Sequence, residues 1–157
     1  MNPYISVIVT VYNIEKYITQ CLESLSKQTY DNFEVVIVND GSKDNSKGII
    51  EEYINNNQLE NFFLYTKENE GITPTRNYGI EKSRGEWIFF LDGDDWVEPD
   101  TLESLYCLAT ERNADIVCFS YYEEYEKQTK RYHFKEKKEF SYTGIEAVGE
   151  LHRRKNI

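Results

Sequence analysis

The 157-residue chain reads as an α/β domain with a mostly parallel central sheet and helices on both faces. Three observations predict that class. Short runs that are apolar at nearly every position alternate with segments whose apolar residues recur at helical spacing. The runs lack a polar face, as strands covered on both sides do. Polar clusters (TVYN, NDGS and DGDD) close three of the runs, at the carboxyl ends where such sheets hold ligands.

Taken in order, Ile5 to Val11 is short, β-branched and continuous in hydrophobicity, which predicts a buried first strand. Ile14, Ile18, Cys21, Leu22 and Leu25 then recur at helical spacing, predicting a helix from about Glu15 to Lys27. FEVVIV, Phe33 to Val38, is a second buried strand, and a helix follows from about Asp44 to Asn56. Asn61 to Thr66 is a weaker third strand. Thr73 to Lys82 is helical in pattern, with Pro74 acceptable in a first turn. Trp87 to Leu91 forms a fourth strand, Asp100 to Arg112 a helix, and Asp115 to Tyr121 a fifth strand.

Beyond Tyr122 the texture becomes highly charged with scattered aromatics, which predicts an exposed hairpin or loop. Thr143 and Glu146 form a capping box that opens a short helix. The chain therefore divides into a core over 1–122 and a second part over 123–157 that reads as the start of a further, truncated half. The length suits one domain able to bury a core.

Net charge is −10, which excludes a nucleic-acid partner, because that binding relies on Lys and Arg neutralising phosphates. A phosphate-bearing small ligand stays compatible if a cation or a few local bases sit at its site. Cys21, Cys107 and Cys118 form no CxxC pair, and each lies in an apolar pattern, so all three are expected to be buried thiols of a reduced compartment. The N-terminal apolar run is too short for a membrane span and has no basic leader, so a cytoplasmic chain is expected.

The acidic tip FFLDGDDWVEP bears most on function. Asp92, Asp94 and Asp95 crowd the end of an apolar strand. Two carboxylates about 4 Å apart repel by about 4 kcal/mol at an effective dielectric near 20. Solvation, protonation or a cation relieves that. Mg²⁺ or Mn²⁺ takes one or two carboxylates plus substrate phosphates, and Gly93 leaves room for close backbone approach and unusual dihedrals. An acidic turn capping the next helix is the ordinary reading of an isolated D-x-D. An EF-hand loop fails because Trp96 stands at an oxygen-ligand position and Val97 at the required Gly. An aspartyl-phosphate phosphatase fits poorly, since the motif continues Asp95-Trp96 and sits on the fourth strand. The other strand ends add Asp40, which reads as an Asx turn or as an acceptor for an imide N–H, and Thr10, Val11 and Tyr12, which supply backbone groups and an aromatic wall. Arg76, in ENEGITPTRNYG, reads as a surface ion pair or as a diphosphate contact.

Together SVIVTVYN, FEVVIVNDGSKDNS, NEGITPTRNYG and GEWIFFLDGDDW resemble the N-terminal half of family 2 glycosyltransferases over about the first 120 residues. That resemblance implies the GT-A (Rossmann-like) fold, a nucleotide-sugar donor, most often UDP-linked, and a single displacement that inverts the anomeric carbon. It places Thr10, Val11 and Tyr12 around the uracil with Glu15 nearby, Asp40 on the base, and Arg76 along the nucleotide. Asp92 would meet the ribose or, through water, a Mn²⁺ or Mg²⁺ ion. Asp94 would ligate that ion directly, with Gly93 between them, and Asp95 would point to the sugar or cap the next helix. The acceptor would be a saccharide or a lipid-linked glycan. The general base belongs to the later half of such proteins, beyond residue 157, and Glu123, Glu124 and Glu126 read as solvated charge. The alternative is a noncatalytic nucleotide-binding module. A sugar nucleotidyltransferase is disfavoured because VYNIEKYI carries no Gly-rich basic loop.

Overall fold

A computed structural model describes residues 4–119, 121–125 and 128–132. Residues through Val117 form one unit, and Cys118 begins another. In the first unit β1 (Ile5–Val11), α1 (Ile18–Ser26), β2 (Phe33–Asp40), α2 (Ser46–Asn56), β3 (Phe62–Lys67), α3 (Ile72–Lys82), β4 (Trp87–Asp92) and α4 (Thr101–Arg112) follow in strict alternation. The strands pair in parallel in the order β3-β2-β1-β4. The chain steps outward from β1 to β3 and then crosses back to the far side of β1. The reversal of strand order thus lies between β1 and β4, where α/β sheets open a crevice at their carboxyl ends.

The two-residue period of the strands sorts their side chains between two faces. Ile5, Val7, Val9 and Val11 of β1 join Val35 and Ile37 of β2 in the main core, beneath Ile18, Leu22 and Leu25 of α1, Ile50 of α2 and Leu102 of α4. Each such side chain contributes roughly 1.5–3 kcal/mol by leaving water. The opposite face packs Ile8, Val36 and Val38 against Tyr78 of α3 and Tyr65 of β3. That face also carries Thr10, Asp40 and Asp92 at its carboxyl end, since each stands an even number of residues along its strand from an α3-facing neighbour.

Pro74 sits in the first turn of α3, where its missing N–H costs nothing. The start of α4 is held by Gln28, whose Oε1 accepts from the Leu102 N–H at 3.0 Å while its Nε2 donates to Glu98 O at 2.7 Å. Asp100 occupies the N-cap of α4 without a side-chain bond, so neither Asp94 nor Asp95 caps that helix.

Two expectations are corrected. Residues 115–119 form no strand, and Ile116 is 77% exposed. Pairing begins instead at β5 (Tyr121–Tyr125), antiparallel to β6 (Gln128–Tyr132). An apolar run signals burial without naming a partner, whereas a hairpin brings its own. The hairpin expected beyond Tyr122 thus starts at Tyr121. Of the cysteines only Cys21 is buried; Cys107 and Cys118 are exposed. Cys107 falls outside the narrow face on which α4 buries Leu102 and Ala109. The helix expected after Thr143 lies outside the described residues. Among those residues, no helix is long and apolar enough to cross a membrane.

Candidate functional site

The β1–β4 pairing sets Thr10 opposite Asp92. The Thr10 hydroxyl donates to Asp92 Oδ1 at 2.9 Å, and Arg76 Nη2 donates to the same oxygen at 2.9 Å. The guanidinium lies 5.6 Å from the centre of the Phe90 ring, and its Nε is buried without a hydrogen-bond partner. Asp92 Oδ2 accepts none of these bonds and stays open.

Directly after Asp92 the chain turns back on β1. The Gly93 N–H donates to Thr10 O at 3.0 Å, and Asp95 N–H donates to Asp92 O at 2.9 Å. A Cβ on Gly93 would stand 2.6 Å from Ile14 Cδ1 and 2.8 Å from Thr10 O, so a side chain would lift the turn off the strand. The requirement is close approach alone. The unusual dihedrals expected of Gly93 are absent, since positive φ among the described glycines is confined to Gly41 and Gly71.

Asp94 is exposed at the tip, and its carboxylate accepts no hydrogen bond from the described residues. Asp95 is also exposed at the surface, yet partial desolvation by its neighbours, then the charges of Asp94 and Asp92, push its carboxyl above the usual range. The same tip acts on Cys21 beneath it. Burial, reinforced by Asp95, Asp94 and Asp92, pushes that thiol up to about 12, so it stays protonated and unreactive.

At the end of β2, Asp40 is only 4% exposed. Burial alone would raise its pKa. Lys67, which donates to Oδ1 at 2.7 Å, and the N–H groups of Glu70 (3.0 Å, to Oδ1) and Gly71 (2.9 Å, to Oδ2) outweigh that and hold the carboxyl below its ordinary value. The chain can present both amides because Gly71 turns with φ of 90°, in the region that favours glycine, immediately before α3.

The β1–α1 loop that carries Tyr12 is laced to the β2–α2 loop. Asn13 N–H donates to Ser42 Oγ, Lys43 N–H to Asn13 Oδ1, Glu15 N–H to Asp44 Oδ2 and Asn45 N–H to Glu15 Oε2. Glu15 spends its carboxylate on this lacing and does not line the cleft. The effect is a rigid rim from which Tyr12 stands out, 46% exposed.

Thr10, Val11, Tyr12, Asp40, Gly71, Thr75, Asp92 and Asp94 line one cleft of about 360 Å³. The structure therefore gathers six of the residues singled out from sequence. Arg76 joins through Asp92, and Gly93 supports the turn from below. A second cavity of about 320 Å³ lies between α2 and the outer strand β3, lined by Lys47, Glu51, Phe62 and Leu64. It gathers none of Thr10, Asp40, Asp92 and Asp94.

Among the described residues no group of three or more His, Cys, Asp or Glu side chains converges as a complete metal cage. The open Asp94 carboxylate and the free oxygen of Asp92 suit an ion that draws its other ligands from substrate and water. Sequence reading missed Lys67, Gly71 and Thr75. Lys67 stands one residue beyond the strand expected from apolarity, and only the register, which sets it opposite Asp40, gives it meaning.

The chain matches the family model Glycosyl transferase family 2 over residues 6–154. It belongs to that family. It is 48% identical over 118 residues to EpsH of Bacillus subtilis, a glycosyltransferase by name, covering 74% of this chain and 33% of that protein. Similarity to glycosyltransferase GlyA of Streptococcus pneumoniae is 44% over 119 residues, 75% of this chain and 17% of the relative. The chain thus spans a third or less of these two relatives. TarS of Staphylococcus aureus in complex with UDP-GlcNAc superposes with a TM-score of 0.66 at 38% identity, over 73% of this chain and 33% of that one. A mannosyltransferase of Pyrobaculum calidifontis in complex with GDP-Man and Mn²⁺ gives 0.65 at 25% identity, over 69% and 33%. The family member has the GT-A fold shared with these neighbours.

Proposed function

We propose that this family 2 chain binds the nucleotide-sugar donor, a UDP-sugar, for an inverting, metal-dependent transfer to a hydroxyl of a saccharide or lipid-linked acceptor. Donor binding falls to residues 1–122, and no general base is assigned within them. The observation that carries the reading is the convergence of Asp40, Asp92 and Asp94 with Tyr12 in one cleft at the reversal of strand order.

Each residue has a role that its chemistry suits. Tyr12, held by the laced rim, offers a ring for the base to stack on, and the ionised Asp40 accepts the imide N–H of uracil. Arg76, held over Phe90 with an orphaned Nε, supplies positive charge beside the diphosphate. Asp94, with Asp92 directly or through water, would hold Mn²⁺ or Mg²⁺. When bound, that ion offsets negative charge developing on the departing diphosphate. Thr10 and Arg76 fix Asp92 by one oxygen and leave the other without a bond from either, in a residue that lines the cleft. The bound metal and nucleotide in the two neighbours support this reading.

Titration calorimetry tests it. UDP is expected to bind about tenfold more tightly with Mn²⁺ than with chelator, the gain of a charge-assisted contact. Asp94→Ala is expected to remove that gain. Equal UDP affinity with and without metal in the unmodified protein would refute the metal's role.

A further inference from the structure

The Asp40 carboxylate is nearly saturated before any ligand arrives. A carboxylate offers about four acceptor positions. Oδ1 uses two, on Lys67 Nζ at 2.7 Å and the Glu70 N–H at 3.0 Å. Oδ2 uses one, on the Gly71 N–H at 2.9 Å. The Thr75 hydroxyl adjoins the group, but its one proton goes to Gly71 O at 2.7 Å. One acceptor position is left, on Oδ2, in a side chain that lines the cleft.

Lys67 is as fully committed. Its three N–H groups donate to Asp40 Oδ1, Glu68 O and Glu70 Oε2, each at 2.7 Å, and its side chain is 12% exposed. With no donor to spare, it cannot itself grip a ligand. Among the described residues no other cation is placed to replace it: Arg76 is paired with Asp92, and Asp92 and Asp94 add only negative charge to the cleft.

We propose that Lys67 is a positioning residue for base recognition. It pins Oδ1 so that Asp40 presents a single, defined acceptor to a donor N–H on the nucleobase edge. This rests on the reading that the cleft takes UDP. Without Lys67 the carboxylate keeps one amide on each oxygen and gains a second empty position, on Oδ1, so it no longer presents a single acceptor. Affinity that comes from the diphosphate and metal would persist, while discrimination at the base would fade.

The test compares UDP with 3-methyluridine 5′-diphosphate, which keeps ribose and diphosphate but lacks the imide proton. Both are titrated by calorimetry, with Mn²⁺ present. The unmodified protein is expected to prefer UDP by about tenfold, the worth of one hydrogen bond to a charged acceptor. Lys67→Met is expected to cut the preference to about twofold, mostly by weakening UDP, and to keep the gain from Mn²⁺. Lys67→Arg, which retains charge and donors, is expected to restore most of the preference. Glu70→Gln should leave it intact, since Glu70 is largely exposed and its main-chain N–H is untouched.

A Lys67→Met protein that keeps the full preference, or loses both ligands and the Mn²⁺ gain together, overturns the role of Lys67 while the uracil reading stands. Failure of Lys67→Arg to restore the preference also overturns it. An unmodified protein that binds both ligands alike overturns the uracil reading and this proposal with it.

Discussion

Strand β2 carries two buried carboxylates on the same face, six residues apart, at opposite ends of the sheet. Glu34, at the amino end, is 2% exposed and Asp40, at the carboxyl end, 4%. Glu34 Oε1 accepts from the Ser6 hydroxyl (2.7 Å) and Arg84 N–H (2.6 Å), and Oε2 from Arg84 Nε (2.8 Å) and Nη2 (2.6 Å). All its acceptor positions are filled, and it lines neither the cleft beside Asp40 nor the cavity between α2 and β3. Asp40 is held by three donors and keeps one position beside a cleft. The two groups share strand, burial and a lowered pKa; what separates them is a single vacant lone pair and the space to use it. Burial and a shifted pKa therefore do not mark a binding residue on their own.

Breaking the closed end should have the largest effect on stability. Glu34→Ala leaves the Ser6 hydroxyl proton without its acceptor, though Ser6 Oγ still accepts from the Gly85 N–H, and frees Arg84 in the α3–β4 loop. We expect a loss of about 3 kcal/mol in urea unfolding, at the low end for a broken buried pair because Arg84 can rehydrate. UDP affinity of the folded fraction should change less than about twofold, given the distance along the strand. A larger drop in affinity would show that the two ends are coupled.

Gly93→Ala comes next, at about 2 kcal/mol, because the added methyl meets both Ile14 and the Thr10 carbonyl oxygen. Here stability and UDP binding should fall together, the turn being both packing and site. A thermal melt alongside calorimetry separates that pattern from the one expected of Glu34.

At the open end Asp40→Asn should weaken UDP about tenfold and ADP much less, since uracil presents an imide proton to that position. Parallel losses for the two nucleotides would place Asp40 with Glu34 as a structural carboxylate.

The smallest effect is on the acid limb. Glu34 and Asp40 are both held below their ordinary values, in each case because donors outweigh burial. Their contribution is present above the unfolded carboxylate values, near 4, and is lost as pH falls through the lower folded values. Glu34→Gln should therefore flatten the fall in stability below about pH 4, with little change in its shape between pH 6 and 8. An unaltered acid limb would remove Glu34 from the account of acid sensitivity.

How much of this was legible in sequence follows the same division. The strands over Ile5–Val11 and Phe33–Asp40 announced themselves because both faces are covered, and the strand-end aspartates stood out against those apolar runs. Helix starts drifted by one to three residues, since α1, α2 and α3 open without a side-chain cap. Lys67 and Gly71 went unnoticed because their meaning depends on register and on a loop's return past β2. The run over 115–119 misled because apolarity identifies a buried strand only where the fold supplies a neighbour. Glu15 sat near the right loops, but its carboxylate serves the loop and not the cleft.

A crystal structure with UDP and Mn²⁺ tests the central claim most directly. We expect uracil stacked on Tyr12 with its imide N–H on Asp40 Oδ2, and the ion between Asp94 and the diphosphate. Nucleotide bound away from that cleft, for instance between α2 and β3, or an ion with no contact to Asp92 or Asp94, would contradict it.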